Sequence, residues 1–165
     1  MLKVIRNILR KAKSEVIKLS KLFIYYSNTG SGDAVANKME SLGYDIRKVT
    51  PKKDLPKPFF FKVLSGGFLA GMNVKSKLKD FDANIEAYDK IVIGSPIWNG
   101  RLSTPINKVL SLLNLENKNV SFILYAGSGE AKHAPKQISK YVNDAKITFL
   151  KEPKKYIEEL EKIGE

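Results

Sequence analysis

The 165-residue chain contains no cysteine, one histidine and one tryptophan. Without cysteine there is no disulfide, no thiolate nucleophile and no iron-sulfur ligation, so any redox chemistry must come from a borrowed cofactor. His133 alone gives a zinc site too few nitrogen or sulfur ligands, although oxygen-ligated cations stay open. Acidic residues are also scarce: 17 Asp and Glu face 29 Lys and Arg, a net charge of +12. Such a balance attracts acidic protein, nucleic acid and anionic membrane alike. No aromatic RNA-binding motif or zinc-finger spacing converts it into base recognition, which leaves nucleic acid a minor alternative. Long apolar runs are missing too. Lys3, Arg6 and Arg10 interrupt the N-terminal apolar residues before a signal-peptide core can form, and nothing later approaches a membrane span. The expectation is a soluble cytoplasmic protein with one compact core.

What is present begins with a helical pattern. Leu2, Ile5, Leu9, Ala12, Val16 and Leu19 recur at three- and four-residue steps, while Lys3, Arg6, Arg10, Lys11, Lys13 and Lys18 face only Glu15. Residues 1–20 are therefore read as a basic amphipathic helix, either packed on the flank of the remaining domain (21–165) or docked on an anionic surface. Leu22–Tyr26 is an apolar strand stopped by Ser27-Asn28-Thr29-Gly30-Ser31-Gly32. A helix follows from Asp33 to the stop at Gly43, then a strand over Tyr44–Val49. Ile91–Gly94, Val120–Tyr125 and Lys146–Leu150 give three more strands. Helices are expected over Thr104–Leu113, Ala134–Val142 and Pro153–Ile163, the first two with proline in the opening turn. Between Pro51 and Tyr88 the least legible segment carries a crossover helix from Phe60 to Met72, kinked at its glycines. Strands alternating with helices at this spacing argue for an open parallel sheet covered on both faces.

In such a sheet, ligands bind beyond the carboxyl ends of strands where the strand order reverses. Three loops qualify. The first, Ser27 to Asp33, combines hydroxyls with glycines before a helix, so backbone amides, hydroxyl donors and the helix dipole can converge on a phosphate. It lacks the Gly-Lys-Ser/Thr ending of a Walker loop and the glycine spacing of a dinucleotide fingerprint, and an ordinary strand-to-helix turn remains the competing reading. The second, Ser95-Pro96-Ile97-Trp98-Asn99-Gly100-Arg101, holds the single tryptophan. Its place between a proline and Asn-Gly argues for an exposed face that stacks a flat ligand, against the alternative of a core residue. The third, Ala126-Gly127-Ser128-Gly129, exposes backbone able to bond a ligand edge. Near it, His133 is either a proton relay or, more simply, a surface residue at a helix start.

Tyr25-Tyr26-Ser27-Asn28-Thr29-Gly30-Ser31-Gly32 and Ile93-Gly94-Ser95-Pro96-Ile97-Trp98-Asn99-Gly100, taken together, resemble the phosphate and flavin-stacking loops of the flavodoxin family. The resemblance runs from Lys21 to the C-terminus. It implies a three-layer, doubly wound, five-stranded parallel sheet of order 2-1-3-4-5 that binds flavin mononucleotide (FMN). It implies that Ser27, Asn28, Thr29, Gly30, Ser31 and Gly32 hold the phosphate. Trp98, Asn99 and Gly100 would line the ring, Ser95, Pro96 and Ile97 of the same loop would also bind the cofactor, and Ala126, Gly127, Ser128 and Gly129 would close the far edge of the ring. Two departures stand out. Gly32 replaces the usual terminal Thr or Ser, and the chain is basic where many electron carriers of the family are acidic.

The leading function is thus an FMN-binding electron carrier to an acidic redox protein or anionic surface, with a local cation such as Arg101 raising the flavin potential. An NAD(P)H-dependent quinone or flavin reductase on the same fold follows closely, with Phe59 to Met72 walling the substrate space and Arg101 or Lys132 receiving a nucleotide phosphate. A flavin-free interaction protein docking through the basic helix is the third reading.

Overall fold

A computed structural model describes residues 20–52 and 77–164. The expected helix over 1–20 and the crossover helix between Phe60 and Met72 lie outside the described residues. Strand β1 (Lys21–Tyr25) leads into helix α1 (Ser31–Ser41) and strand β2 (Asp45–Lys48). Next come β3 (Lys90–Trp98), β4 (Arg101–Leu102), helix α2 (Thr104–Leu110), β5 (Asn119–Ala126), helix α3 (Ala134–Ile138), β6 (Lys146–Lys151) and a 3₁₀ helix over Ile157–Lys162. The sheet order is β2-β1-β3-β5-β6, all parallel along this path, with β4 pairing antiparallel to β3. The five parallel strands therefore follow the expected 2-1-3-4-5 order, and β4 is an addition. No helix among the described residues is long and apolar enough to cross a membrane.

Both faces of the sheet are buried, which is why its strands read as continuous apolar runs. Alternate residues feed opposite layers. Phe23, Tyr25, Val92, Ile123, Tyr125 and Leu150 pack with Val35, Ala36 and Met39 of α1 on one side. Leu22, Ile24, Ile91, Ile93, Phe122 and Leu124 pack with Ile106 and Val109 of α2 and Ala134 and Ile138 of α3 on the other. Register is fixed by pairs such as Phe23 with Val92 and Leu124 with Phe149. A slip by one residue would exchange the two layers.

Besides shifts of two or three residues at the start of α1 and the end of α2, three boundaries depart from the sequence expectation. The second loop does not start at Ser95, because β3 continues through Trp98, turns at Asn99-Gly100 and returns as β4. Asn99 and Gly100 have φ of 49° and 71°, the positive pair that a two-residue type I′ hairpin requires. Proline within β3 is tolerated for a positional reason. Tyr26 N donates to Gly94 O, and a parallel ladder would next take an N–H from residue 96 to the Tyr26 carbonyl. Pro96 has no N–H to give, and the Tyr125 hydroxyl bonds that carbonyl instead. At the C-terminus, Pro153–Ile163 forms no α-helix. Glu152 takes φ of 39°, and its carbonyl accepts from both Lys155 N and Tyr156 N in a tight turn. Only Leu160 and Ile163, three residues apart, pack on the core from the segment beyond, which suits a three-residue period. Helix α3 ends at Ile138, four residues short of Val142, in further turns.

Candidate functional site

The carboxyl ends of β1, β3, β5 and β6 open on one edge of the sheet, and the loops leaving them are tied together. His133 N donates to Gly100 O at 2.9 Å, joining the β5 exit to the hairpin. Glu152 N donates to Ala126 O at 3.3 Å, joining the β6 exit to that of β5. Lys154 Nζ donates to Thr29 O at 3.3 Å, joining the β6 exit to the loop after β1.

The loop after β1 has the form of an anion seat. Gly30 caps α1 with φ of 94°, a left-handed geometry that other residues adopt at a cost. No side chain caps this helix end. Among the described residues, the amides of Gly30, Ser31, Gly32 and Asp33 have no carbonyl partner. Asn28 and Thr29 are exposed, and Thr29 and Ser31 line a cavity of about 260 Å³ completed by Glu152, Lys154 and Lys155. Free amides, two hydroxyls and two ammonium groups make a donor set that fits a terminal phosphate monoester such as that of FMN.

Two residues of this loop do something other than reach for an anion. Ser27 Oγ donates to Asp33 Oδ2 at 2.7 Å; a hydroxyl has one proton, so in this state Ser27 has none left for a phosphate. Tyr25 Oη and Lys48 Nζ meet the other oxygen of the same carboxylate at 3.0 and 2.7 Å. Burial pushes the Asp33 carboxyl upward, but the bonds from Lys48, Ser27 and Tyr25 outweigh it and hold its pKa below the usual aspartate value. Burial, followed by the bond to Asp33, raises the Tyr25 phenol, which therefore stays protonated. Gly32 is the other case. A Cβ there would stand 2.6 Å from Tyr125 Oη, 2.8 Å from Ser27 Cβ and 2.8 Å from the Tyr26 carbonyl oxygen. The departure from Thr or Ser is thus imposed by packing, because the Tyr125 phenol fills the space that a side chain would need.

The hairpin after β3 corrects the reading of Trp98 as an exposed face. Trp98 is 7% exposed and belongs to the core layer, with the Tyr26 ring edge-on at 5.9 Å and 87°. Ile97 is equally buried, and Ser95 is fully so. The Ser95 hydroxyl bonds the Pro96 carbonyl and lies 3.1 Å from both Ser103 Oγ and Ser103 N, which pins β4 to β3. Exposed surface here comes from Asn99 and, in part, from Pro96 and Gly100. Arg101 pairs with Trp98 across the hairpin, and its Nε is buried with no hydrogen-bond partner among the described residues. Beyond β5, Ala126 is half-buried and Gly127 and Ser128 are exposed, with Gly129 at φ of 71°. The Ser128 hydroxyl stays local, bonding Glu130. His133 is exposed at the start of α3, and its backbone N–H, the one that reaches Gly100, is what ties the two loops.

Sequence reasoning missed Asp33, Lys48, Tyr125 and the Glu152–Lys155 turn. The last was within reach, since the rule that selects loops at strand carboxyl ends applies equally to the exit of β6, where Pro153-Lys154-Lys155 stands. The Asp33 cluster joins residues from three elements and has no local signature.

Solved structures with this fold include two flavoproteins. One, assigned as a flavoprotein from Bacteroides eggerthii DSM 20697, is 22% identical with a TM-score of 0.67, over 78% of this chain and 84% of its own. The other, from Lactobacillus acidophilus NCFM and crystallised in complex with FMN, is 21% identical with a TM-score of 0.58, over 78% of this chain and 89% of its own. No curated protein shows significant sequence similarity to the chain. The sequence profile of the NADPH-dependent FMN reductases matches residues 27–152, from the seryl start of the anion seat to the turn beyond β6, and the chain belongs to that family.

Proposed function

We propose that this protein is an FMN-dependent NADPH oxidoreductase. The observation that carries the reading is the uncapped, amide-rich start of α1, facing the cavity lined by Thr29 and Ser31. The family match supports the same reading. In this reading Thr29 and Ser31 donate hydroxyls and Gly30, Ser31 and Gly32 donate amides to the FMN phosphate, while Ser27 and Asn28 shape the seat. Asn99, Gly100 and the backbone of Ala126, Gly127, Ser128 and Gly129 border the flavin ring. Ser95, Ile97 and Trp98 form the rigid layer behind them, with Pro96 at its margin. FMN supplies the acceptor for a hydride and returns electrons singly or in pairs. The Arg101 guanidinium would stabilise any nearby developing negative charge, an effect that only local charges exert strongly.

Two experiments test this. Flavin fluorescence quenching should give saturable FMN binding at micromolar concentration or tighter, on the order of 8 kcal/mol; its absence refutes the reading. The loaded protein should then oxidise NADPH with a quinone or free flavin acceptor at roughly 1 to 1000 per second. Slow background oxidation alone would favour the second reading, an electron carrier. For that role the net charge of +12 selects an acidic redox partner.

A further inference from the structure

We propose that Lys154, delivered by the turn after β6, is the cationic anchor of the FMN phosphate; the proposal rests on the FMN reading above. Its side chain lies across the anion seat. An added Cβ at Gly30 would stand 2.9 Å from Lys154 Cδ and 3.0 Å from Nζ. The ammonium gives one bond to the Thr29 carbonyl at 3.3 Å, and an ammonium has three protons to give. Two remain for an incoming oxygen.

The other cations near the seat are engaged by neighbouring side chains, although Lys155 also lines the cavity. Lys48 is bound to Asp33 at 2.7 Å. Lys155 sits over the Tyr156 ring at 5.0 Å. Among the described residues Lys154 forms no ion pair. The turn that presents it is fixed by four observations: Pro153 is buried, Glu152 N is bonded to Ala126 O, and Lys155 N and Tyr156 N both close on the Glu152 carbonyl. The position of Lys154 therefore follows from the sheet. A phosphate monoester carries about −1.5 to −2 charges at neutral pH, more than a neutral set of amides and hydroxyls offsets, and the lysine supplies the point charge. Glu152 lines the same cavity and opposes the anion.

The proposal predicts a dependence on the phosphate and none on the ring. FMN and riboflavin, which lacks the phosphate, would be titrated by fluorescence quenching against wild type, Lys154→Gln, Lys154→Arg and Lys155→Gln. Lys154→Gln should weaken FMN about tenfold, roughly 1.4 kcal/mol, and leave riboflavin unchanged. Lys154→Arg should restore most of the loss, and Lys155→Gln should have the smaller effect. Between about 0.03 and 0.3 M salt, wild type should lose more FMN affinity than Lys154→Gln, as a screened charge requires. Unchanged FMN binding by Lys154→Gln overturns the proposal while leaving the FMN reading intact. Equal loss of FMN and riboflavin overturns it in favour of a structural role. A loss confined to the NADPH-to-NADH preference overturns it in favour of the 2′-phosphate of the nucleotide. Failure of wild type to bind FMN overturns both.

Discussion

Restoring a hydroxyl at position 32 should damage the protein. In Gly32→Thr the new Cβ alone meets three atoms at 2.6, 2.8 and 2.8 Å, and one of them is the backbone carbonyl of Tyr26. Ordinary carbon contacts lie near 3.5 to 4.0 Å, so each neighbour would have to yield by about 1 Å. Moving the phenol of Tyr125 out of the way breaks its bond to the Tyr26 carbonyl. Overpacking costs about 1 to 3 kcal/mol, and losing the hydrogen bond adds about 0.5 to 1.5 kcal/mol. The sum is roughly 1.5 to 4.5 kcal/mol, or about 3 to 18 °C in Tm at this chain length. Thermal unfolding by circular dichroism, with FMN titration of the folded fraction, reads both consequences. A Gly32→Ala, Tyr125→Phe cycle isolates the cause. Removing the phenolic oxygen eliminates one of the three contacts, so alanine at 32 should cost less in the Tyr125→Phe background, yet not nothing. If Gly32→Thr keeps its Tm and binds FMN more tightly, the packing argument is wrong and the missing hydroxyl was a functional deficit.

Trp98→Ala should cost about 3 to 5 kcal/mol in urea unfolding, as deletion of a core aromatic does; a loss below about 1 kcal/mol would return Trp98 to the ligand side. Asp33 gives a pH signature. Its carboxyl is held below the ordinary value in the folded state, so its stabilisation is complete above the unfolded pKa of about 3.9 and fades as pH falls through the folded value. The gap in Tm between wild type and Asp33→Asn should therefore be steady near neutrality and close on acidification below about pH 4. A gap independent of pH would refute the carboxylate cluster.

The strand and helix order was legible because burial on both faces writes itself as uninterrupted apolar runs, and Leu22–Tyr26, Ile91–Gly94 and Val120–Tyr125 are such runs. The turn before α1 was legible for a similar reason, since a run of glycine and hydroxyl residues ends an apolar strand abruptly. Trp98 was misread because the argument was local. A proline and an Asn-Gly pair suggest a loop in isolation, whereas here the N–H that Pro96 cannot give to the Tyr26 carbonyl is replaced by the Tyr125 hydroxyl. The Asn-Gly pair between Trp98 and Arg101 was itself the signal for a hairpin. What sequence could not supply is contact between remote elements. Tyr125 fills the space at Gly32 from 93 positions away in the chain, and Lys154 meets Thr29 from 125 positions away.

The Tyr125 phenol also acts as a ruler. It starts from the end of β5, beside Ala126, and its hydroxyl terminates on Tyr26, the residue before the anion seat. One aromatic ring thereby sets the interval between the end of β5 and the residue that precedes the loop after β1. Lengthening that interval requires breaking a buried hydrogen bond, and shortening it drives the ring into Gly32. The spacing of the β1 and β5 exits therefore hangs on a single buried side chain, and a substitution at Tyr125 would be felt at both loops.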